Sequence, residues 1–246
     1  MSAVVIIPAR YGSSRFPAKM LAADSGRPLV QHVVDRVRQC RRIRAVIVAT
    51  DDQRIANALR PFGTHAVMTS PDHQSGTDRI AEVARELSDE IIINVQGDEP
   101  EIEPEVVDRL VDRLEQGREP MVTAATEFPA GADPNDPNLV KVVLAGDGRA
   151  LYFSRAPIPY RRDPQSSGNA PFLLHLGVYG YRREFLLQYT QWPQTPAELT
   201  EKLEQLRVLE NGHPIHVLLV RRAVHGIDTP QQYQAFLARQ RQACAG

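Results

Sequence analysis

The chain has 246 residues, enough for one large α/β domain or two small ones with a sizeable buried core. Its 29 basic residues against 30 acidic ones leave a formal net charge of -1, so no overall field draws it to nucleic acid or an anionic membrane, and any anion site must come from local clustering. The start of the chain enters an apolar strand with no basic leader or cleavage pattern, no apolar run approaches the roughly 20 residues that span a bilayer, and Cys40 and Cys244 form no CxxC, so the expected setting is a reducing cytoplasm.

The first half alternates short β-rich runs with segments of helical period, the pattern of a mostly parallel sheet covered by helices on both faces. Strands are predicted over 4–8, 45–50, 66–69, 90–95 and 121–125, with helices over 29–40, 53–61, 77–87 and 103–115. In such sheets ligands lie beyond the carboxyl ends of the strands, which puts the loops after Pro8, Thr69 and Val95 on one rim. Beyond about residue 128 the texture changes. "GADPNDPN" reads as a proline-punctuated loop, Gly146-Asp147-Gly148 as the turn of a hairpin, and 161–171 as a loop. A strand "HLGVYGY", helices near 184–191 and 197–210 ending at Asn211-Gly212, and a return strand "IHVLLV" follow. A last helix opens with Thr229 as N-cap and Pro230 in its first position.

Three loops carry chemistry. "PARYGSSRFPAKML" holds Arg10, Arg15 and Lys19 with the hydroxyls of Ser13 and Ser14, and Gly12 permits close backbone approach. Three cations at one strand end suit a polyphosphate, although the spacing is neither a dinucleotide fingerprint nor a P-loop, and a solvated basic turn would read the same way. "SPDHQSGTDR" offers Ser75, Gly76, Thr77 and Arg79 at a helix start, suited either to capping or to a base edge or phosphate; His73 reads as an exposed loop residue. "NVQGDEP" ends a buried strand with Asp98, which is a candidate magnesium ligand or a helix cap; Gln96 could bond a sugar or base, and Glu99 reads as a polar turn residue. Asp228 in "GIDTP" offers a second carboxylate that spacing alone cannot pair with Asp98, and His213 and His216 read as structural.

Together these segments, with "VATDD", "DPNLVKVV", "ALYFSRAPIPY" and "LEQLRVLENG", resemble in order the 3-deoxy-D-manno-octulosonate (Kdo) cytidylyltransferases over nearly the whole chain. The resemblance implies a Rossmann-like nucleotidyltransferase fold. It divides the single domain into a nucleotide and metal core, about 1–128 with 213–246, and a smaller hairpin and helix lobe, about 129–212, through which a homodimer forms. It implies transfer of CMP from CTP to Kdo for lipopolysaccharide synthesis. Arg10, Ser13, Arg15 and Lys19 would hold the triphosphate, Ser75, Gly76 and Arg79 the cytidine, and Asp98 and Asp228 the Mg2+. Gln96, Lys141, Arg155, His175, Tyr179, Glu204 and Gln205 would hold the sugar acid, while Asp98, Asp228, Arg10 and Lys19 form the catalytic set. Leu174 stands where many relatives carry a basic residue, Ala18 stands where glycine is common, and the 160–171 loop is short. Leu174 and the short loop bear on the sugar acid and leave room for an 8-amino form or a nonulosonate, whereas Ala18 is a minor departure; a silent nucleotide-binding protein on the same fold is the rival outside catalysis.

Overall fold

The run Ala-Val-Val-Ile-Ile-Pro-Ala forms strand β1, Ala3–Ala9, and all seven of its residues are buried, as expected of a parallel strand covered on both faces. The computed structural model describes residues 1–13, 15–163, 170–221 and 226–245, with side chains through 242. Ser14 and most of the 161–171 loop lie outside the described residues. The chain divides into two units, Met1–Asp108 with Val224–Gly246, and Arg109–Ala223.

In the first unit β1 pairs in parallel with β2, Ala45–Thr50, and with β4, Ile91–Asn94, while β3, His65–Met68, lies outside β2. The helices are α1, Leu29–Val37, α2, Gln53–Leu59, α3, Gly76–Arg85, the start of α4, Pro104–Gln116, and α8, Pro230–Ala245. Leu29, Val30, Val33, Val34 and Val37 form the buried stripe that makes α1 amphipathic. Each of the first three helices is shorter than its periodicity suggests. Pro61 lies just past the end of α2, where a short 3-10 turn closes on Gly63 at φ 60. Asp52 caps α2 by accepting from the Arg54 amide at 2.8 Å.

Past α1, the Cys40 thiol donates weakly to the Pro104 carbonyl at 3.6 Å. Burial, with the Asp108 carboxylate as the next cause, pushes this thiol up to about 12. Iodoacetamide at pH 8 is therefore expected to label Cys40 on the order of a hundredfold more slowly than a free cysteine peptide, read by peptide mass mapping. Labelling at the free rate would contradict that environment.

The second unit is built on β5, Met121–Glu127, antiparallel to β8, Leu173–Arg182, and parallel to β9, Ile215–Val220. The hairpin is present as β6, Lys141–Leu144, and β7, Ala150–Ser154, turning through Gly148 at φ 84. Because β5 and β9 both belong to this sheet, the division falls at Asp108 and Val224, earlier and later than the sequence boundaries of 128 and 213. Leu174 is 4% exposed and pairs with Thr126 and Lys141, so packing sets its identity.

The helix expected over 197–210 is two helices, α6, Pro196–Glu201, and α7, Gln205–Glu210, which follow α5, Arg183–Tyr189. The break is Lys202 in the left-handed region at φ 52, a conformation that disfavours a side chain. Arg155 sustains it. Its Nε donates to the Glu201 carbonyl at 2.6 Å and its Nη2 to the Lys202 carbonyl at 3.3 Å. The Glu201 carboxylate in turn accepts from Ser154 Oγ at 2.6 Å and the Arg155 amide at 2.9 Å.

Candidate active site

In the first unit the end of β1 and the end of β4 lie side by side, and Gly97 follows the latter. A Cβ at Gly97 would sit 2.9 Å from the Pro8 carbonyl oxygen and 3.0 Å from Met20 Sδ, so only glycine lets the two rim loops approach this closely. Gly97→Ala is expected to cost about 1–3 kcal/mol of stability by overpacking and to displace Asp98. Thermal denaturation and turnover measured together check it, and an unchanged midpoint would mean the backbone gives way freely.

The next residue, Asp98, faces two others that sequence spacing could not bring to it. Lys19 Nζ lies 2.5 Å from Asp98 Oδ2 and 3.2 Å from Asp228 Oδ1, and Arg15 Nη2 lies 3.0 Å from the same Asp228 oxygen. Lys19 is 5% exposed, whereas Arg15 and Arg10 are exposed. Ala18 precedes Lys19 at φ 52, which explains why glycine would be at ease there: the chain reverses hand to turn the lysine inward. Asp228 is delivered by α8. The Ile227 amide donates to the Asp98 carbonyl at 2.8 Å, and Gln232 Oε1 accepts from the amides of Asp228 at 2.7 Å and Thr229 at 3.0 Å. Tyr233, Phe236 and Leu237 pack with Ile227 and Leu29, with Phe16 and Ala22 of the first loop against them. The Thr229 cap is present, its Oγ1 accepting from the Gln232 amide at 3.2 Å.

Two carboxylates therefore converge on one point, and the atom at that point is a cation. Hard oxygen donors in that number suit a magnesium ion that takes its other ligands from phosphate and water. Among the described residues no group of three or more His, Cys, Asp or Glu side chains converges, here or elsewhere. The neighbouring Glu99, expected to be a polar turn residue, is instead buried. Desolvation and then the Asp98 charge push its carboxyl up to about 8. Nothing in the local pattern signals that burial.

The loop after β3 realises the capping reading of Ser75, whose Oγ accepts from the Asp78 amide at 3.1 Å and donates to Asp78 Oδ2 at 2.9 Å. A Cβ at Gly76 would lie 3.2 Å from Pro8 Cγ. Arg79 does not reach outward. It is 4% exposed, with Nη2 2.7 Å from Asp51 Oδ2 and Nη1 donating to Thr69 Oγ1 at 2.6 Å and to the Ser70 carbonyl at 3.3 Å. It braces the loop that would meet the cytidine. His73, expected to be an exposed loop residue, is partly buried and paired with Glu82, which also accepts from the Ser70 amide at 3.0 Å. Gln96 Nε2 donates to Asn94 Oδ1 at 3.3 Å, and Ser13 is half-buried in the first loop. The Arg54 guanidinium lies 3.5 Å over the Tyr11 ring, a brace on the first loop that sequence reasoning missed.

In the second unit the sugar-acid candidates separate into three kinds. Lys141 is 0% exposed and its ammonium donates to the carbonyls of Asp136 at 3.1 Å and Arg155 at 2.5 Å, so two of its three donors serve to anchor a loop. Burial lowers its pKa, which further weakens it as a fixed charge. Arg155 is occupied by the carbonyls of Glu201, Lys202 and, at 2.7 Å, Pro137; it shapes the turn that presents Glu204 and Gln205. Gln205 is buried, and its Nε2 has no hydrogen-bond partner in the protein, the state of a donor awaiting an acceptor. Burial pushes the His175 imidazole down to about 3, so it is neutral near pH 7. Thr123 Oγ1 gives its one proton to the Val178 carbonyl at 2.7 Å, so His175 Nε2 donates to it at 3.1 Å, leaving Nδ1 as an acceptor. Tyr179 lies against the same imidazole, ring centroids 5.4 Å apart. His213 stacks on Trp192 at 5.1 Å and His216 neighbours Glu119 and Arg113, so both are structural as expected.

A cytidylyltransferase family model matches residues 4–216. The chain is 46% identical over 246 residues to the 3-deoxy-manno-octulosonate cytidylyltransferase of Geobacter sulfurreducens, covering 96% of this chain and 98% of that one. To the enzyme of the same name from Geotalea daltonii it is 48% identical over 248 residues, covering 97% and 98%. Among solved structures it matches CMP:2-keto-3-deoxy-manno-octonic acid synthetase complexed with CTP at TM-score 0.93 and 42% identity, over 99% of this chain and 100% of that one. A 4-diphosphocytidyl-2C-methyl-D-erythritol synthase of Anaerococcus prevotii, at 12% identity and TM-score 0.61 over 96% and 98% of the two chains, shares the fold alone.

Proposed function

The chain belongs to the 3-deoxy-manno-octulosonate cytidylyltransferase family, and from that premise we infer the chemistry of its site. It is a nucleotidyltransferase that takes CTP and Kdo to CMP-Kdo and diphosphate. The observation that carries the residue assignment is the convergence of Asp98 and Asp228 on one cation beside a basic loop. In our reading the anomeric 2-hydroxyl oxygen of the sugar acid bonds to the α-phosphorus while the bond to the bridging oxygen of the β-phosphate breaks. The hydroxyl proton passes to solvent and diphosphate leaves with the bonding pair. Both substrates are anions, so Arg10, Arg15, Ser13 and Lys19 serve to bind the triphosphate and to stabilise charge growing on the leaving group. Asp98 and Asp228 would hold Mg2+, which when bound supplies further neutralisation of the phosphates. No covalent enzyme intermediate is required, because positioning and electrostatics suffice for such a displacement.

Ser75 and Gly76 serve the cytidine, with Arg79 acting on it through the loop it braces. Gln96, His175, Tyr179, Glu204 and Gln205 serve the sugar acid, Arg155 acting through the turn it holds. A homodimer through the second unit is supported by exposed Leu151, Leu199 and Leu219 at 60%, 45% and 53%. A cytoplasmic setting is proposed alongside; among the described residues no helix is long and apolar enough to cross a membrane. The test is diphosphate release with magnesium and each nucleoside triphosphate in turn, paired with Kdo, 8-amino-Kdo and a sialic acid. Turnover with CTP and Kdo is expected to exceed the other pairings, and a preference for another acid would overturn the assignment of Kdo.

A further inference from the structure

Lys19 is an unusual neighbour for a pair of metal ligands. Its ammonium is nearly inaccessible to solvent, and two of its donors are already engaged with Asp98 and Asp228. Arg15 adds a second cation on Asp228, so the corner contains two cations and two carboxylates and is balanced. A divalent ion arriving alone would meet an ammonium within bonding distance of both its ligands. A triphosphate arriving alone would draw off the two cations and leave the carboxylates uncompensated and partly buried, which is costly. When both arrive, each set of charges acquires a new partner and the balance is kept.

We propose that Lys19, besides binding the triphosphate, acts as a resident cation: it holds Asp98 and Asp228 together before substrate binds, keeps the metal out of the nucleotide-free site, and moves to the phosphates as the nucleotide brings the metal in. The inference rests on the reading of Asp98 and Asp228 as the metal carboxylates. Its consequence is a positive coupling between metal and nucleotide that is carried by the protein, beyond chelation of the metal by the phosphates, and reciprocal by thermodynamic necessity.

The probe is Mn2+ alone, titrated into the full nucleotide-free protein, with free Mn2+ read from its paramagnetic resonance signal. Wild type is expected to bind weakly, and Lys19→Met to bind at least about tenfold more tightly. Adding Asp98→Asn to that variant should return binding to the weak level. Lys19→Arg, which keeps the charge, should stay as weak as wild type, a pattern that loss of packing alone would not give. Lys19→Gln, which keeps a donor but no charge, stands in if the methionine variant does not fold, with the same tightening expected. If neither neutral variant binds more tightly than wild type while Asp98→Asn still weakens the wild-type site, the exchange is overturned and the ligand assignment survives. If Lys19→Met/Asp98→Asn binds as tightly as Lys19→Met, the ligand assignment fails and the proposal falls with it.

Discussion

Asp98→Asn is expected to lower turnover by about 10²- to 10³-fold, the scale on which a single electrostatic contact to the reacting phosphates acts. The substitution preserves shape and removes charge at the oxygen 2.5 Å from Lys19 Nζ. Lys19 keeps Asp228 as a partner, so folding should survive with a modest loss of stability. Asp228→Asn should have a smaller effect, because its side chain is 41% exposed and water can substitute for it more readily than at Asp98, at 23%. Diphosphate release measured at saturating magnesium decides the matter: near-normal turnover in the Asp98 variant would remove it from the catalytic set.

Arg207→Ala is expected to destabilise the second unit by about 3–5 kcal/mol, the cost of stranding one member of a buried ion pair. The Arg207 guanidinium forks onto both oxygens of Glu198, at 2.7 and 2.5 Å, and the two side chains are 8% and 3% exposed. That hydrogen-bonded carboxylate raises the guanidinium pKa further, so no pH dependence in the neutral range should accompany the loss. For a chain of this size the melting midpoint should fall by roughly 10 °C. The effect should reach function as well. Arg207 lies 5.0 Å from the centre of the Tyr189 ring, and the Tyr189 hydroxyl donates to the Glu204 carbonyl at 2.9 Å, next to Gln205. The Michaelis constant for the sugar acid should therefore rise more than that for CTP. Glu198→Leu with Arg207→Met should recover most of the stability, since an apolar pair of similar volume strands no charge; failure to recover would show that the fork is needed for the turn itself.

Much of the first unit was legible because its elements advertise themselves locally. Apolar Ile and Val runs gave the parallel strands, and the caps Ser75 and Thr229 and the glycine of the Gly146-Asp147-Gly148 turn behave as those residue types do anywhere. What escaped depends on partners far away in the chain. Nothing around Lys202 announces a left-handed residue; the carbonyls that sustain it are claimed by Arg155, 47 positions earlier for Lys202 itself. Lys141 and Arg79 are expected as contacts for the sugar acid and the cytidine, yet each finds enough oxygen partners in the fold to be buried. Glu99 follows a metal-type aspartate and has the sequence setting of a polar turn residue, whereas packing hides it. The pairing of Asp98 with Asp228 needed a resemblance to suggest it and the fold to realise it.

The last helix gives that pairing an order in time. Asp98 is translated long before Asp228, and the segment carrying Asp228 is fastened by Ile227 to the Asp98 carbonyl and by Tyr233, Phe236 and Leu237 to the first loop. A nascent chain can complete its parallel strands while still tethered to the ribosome, but its second carboxylate does not yet exist. In this protein, the centre that would hold the metal is completed only once Asp228 has been made, and a product released before that residue would carry the nucleotide loops without it.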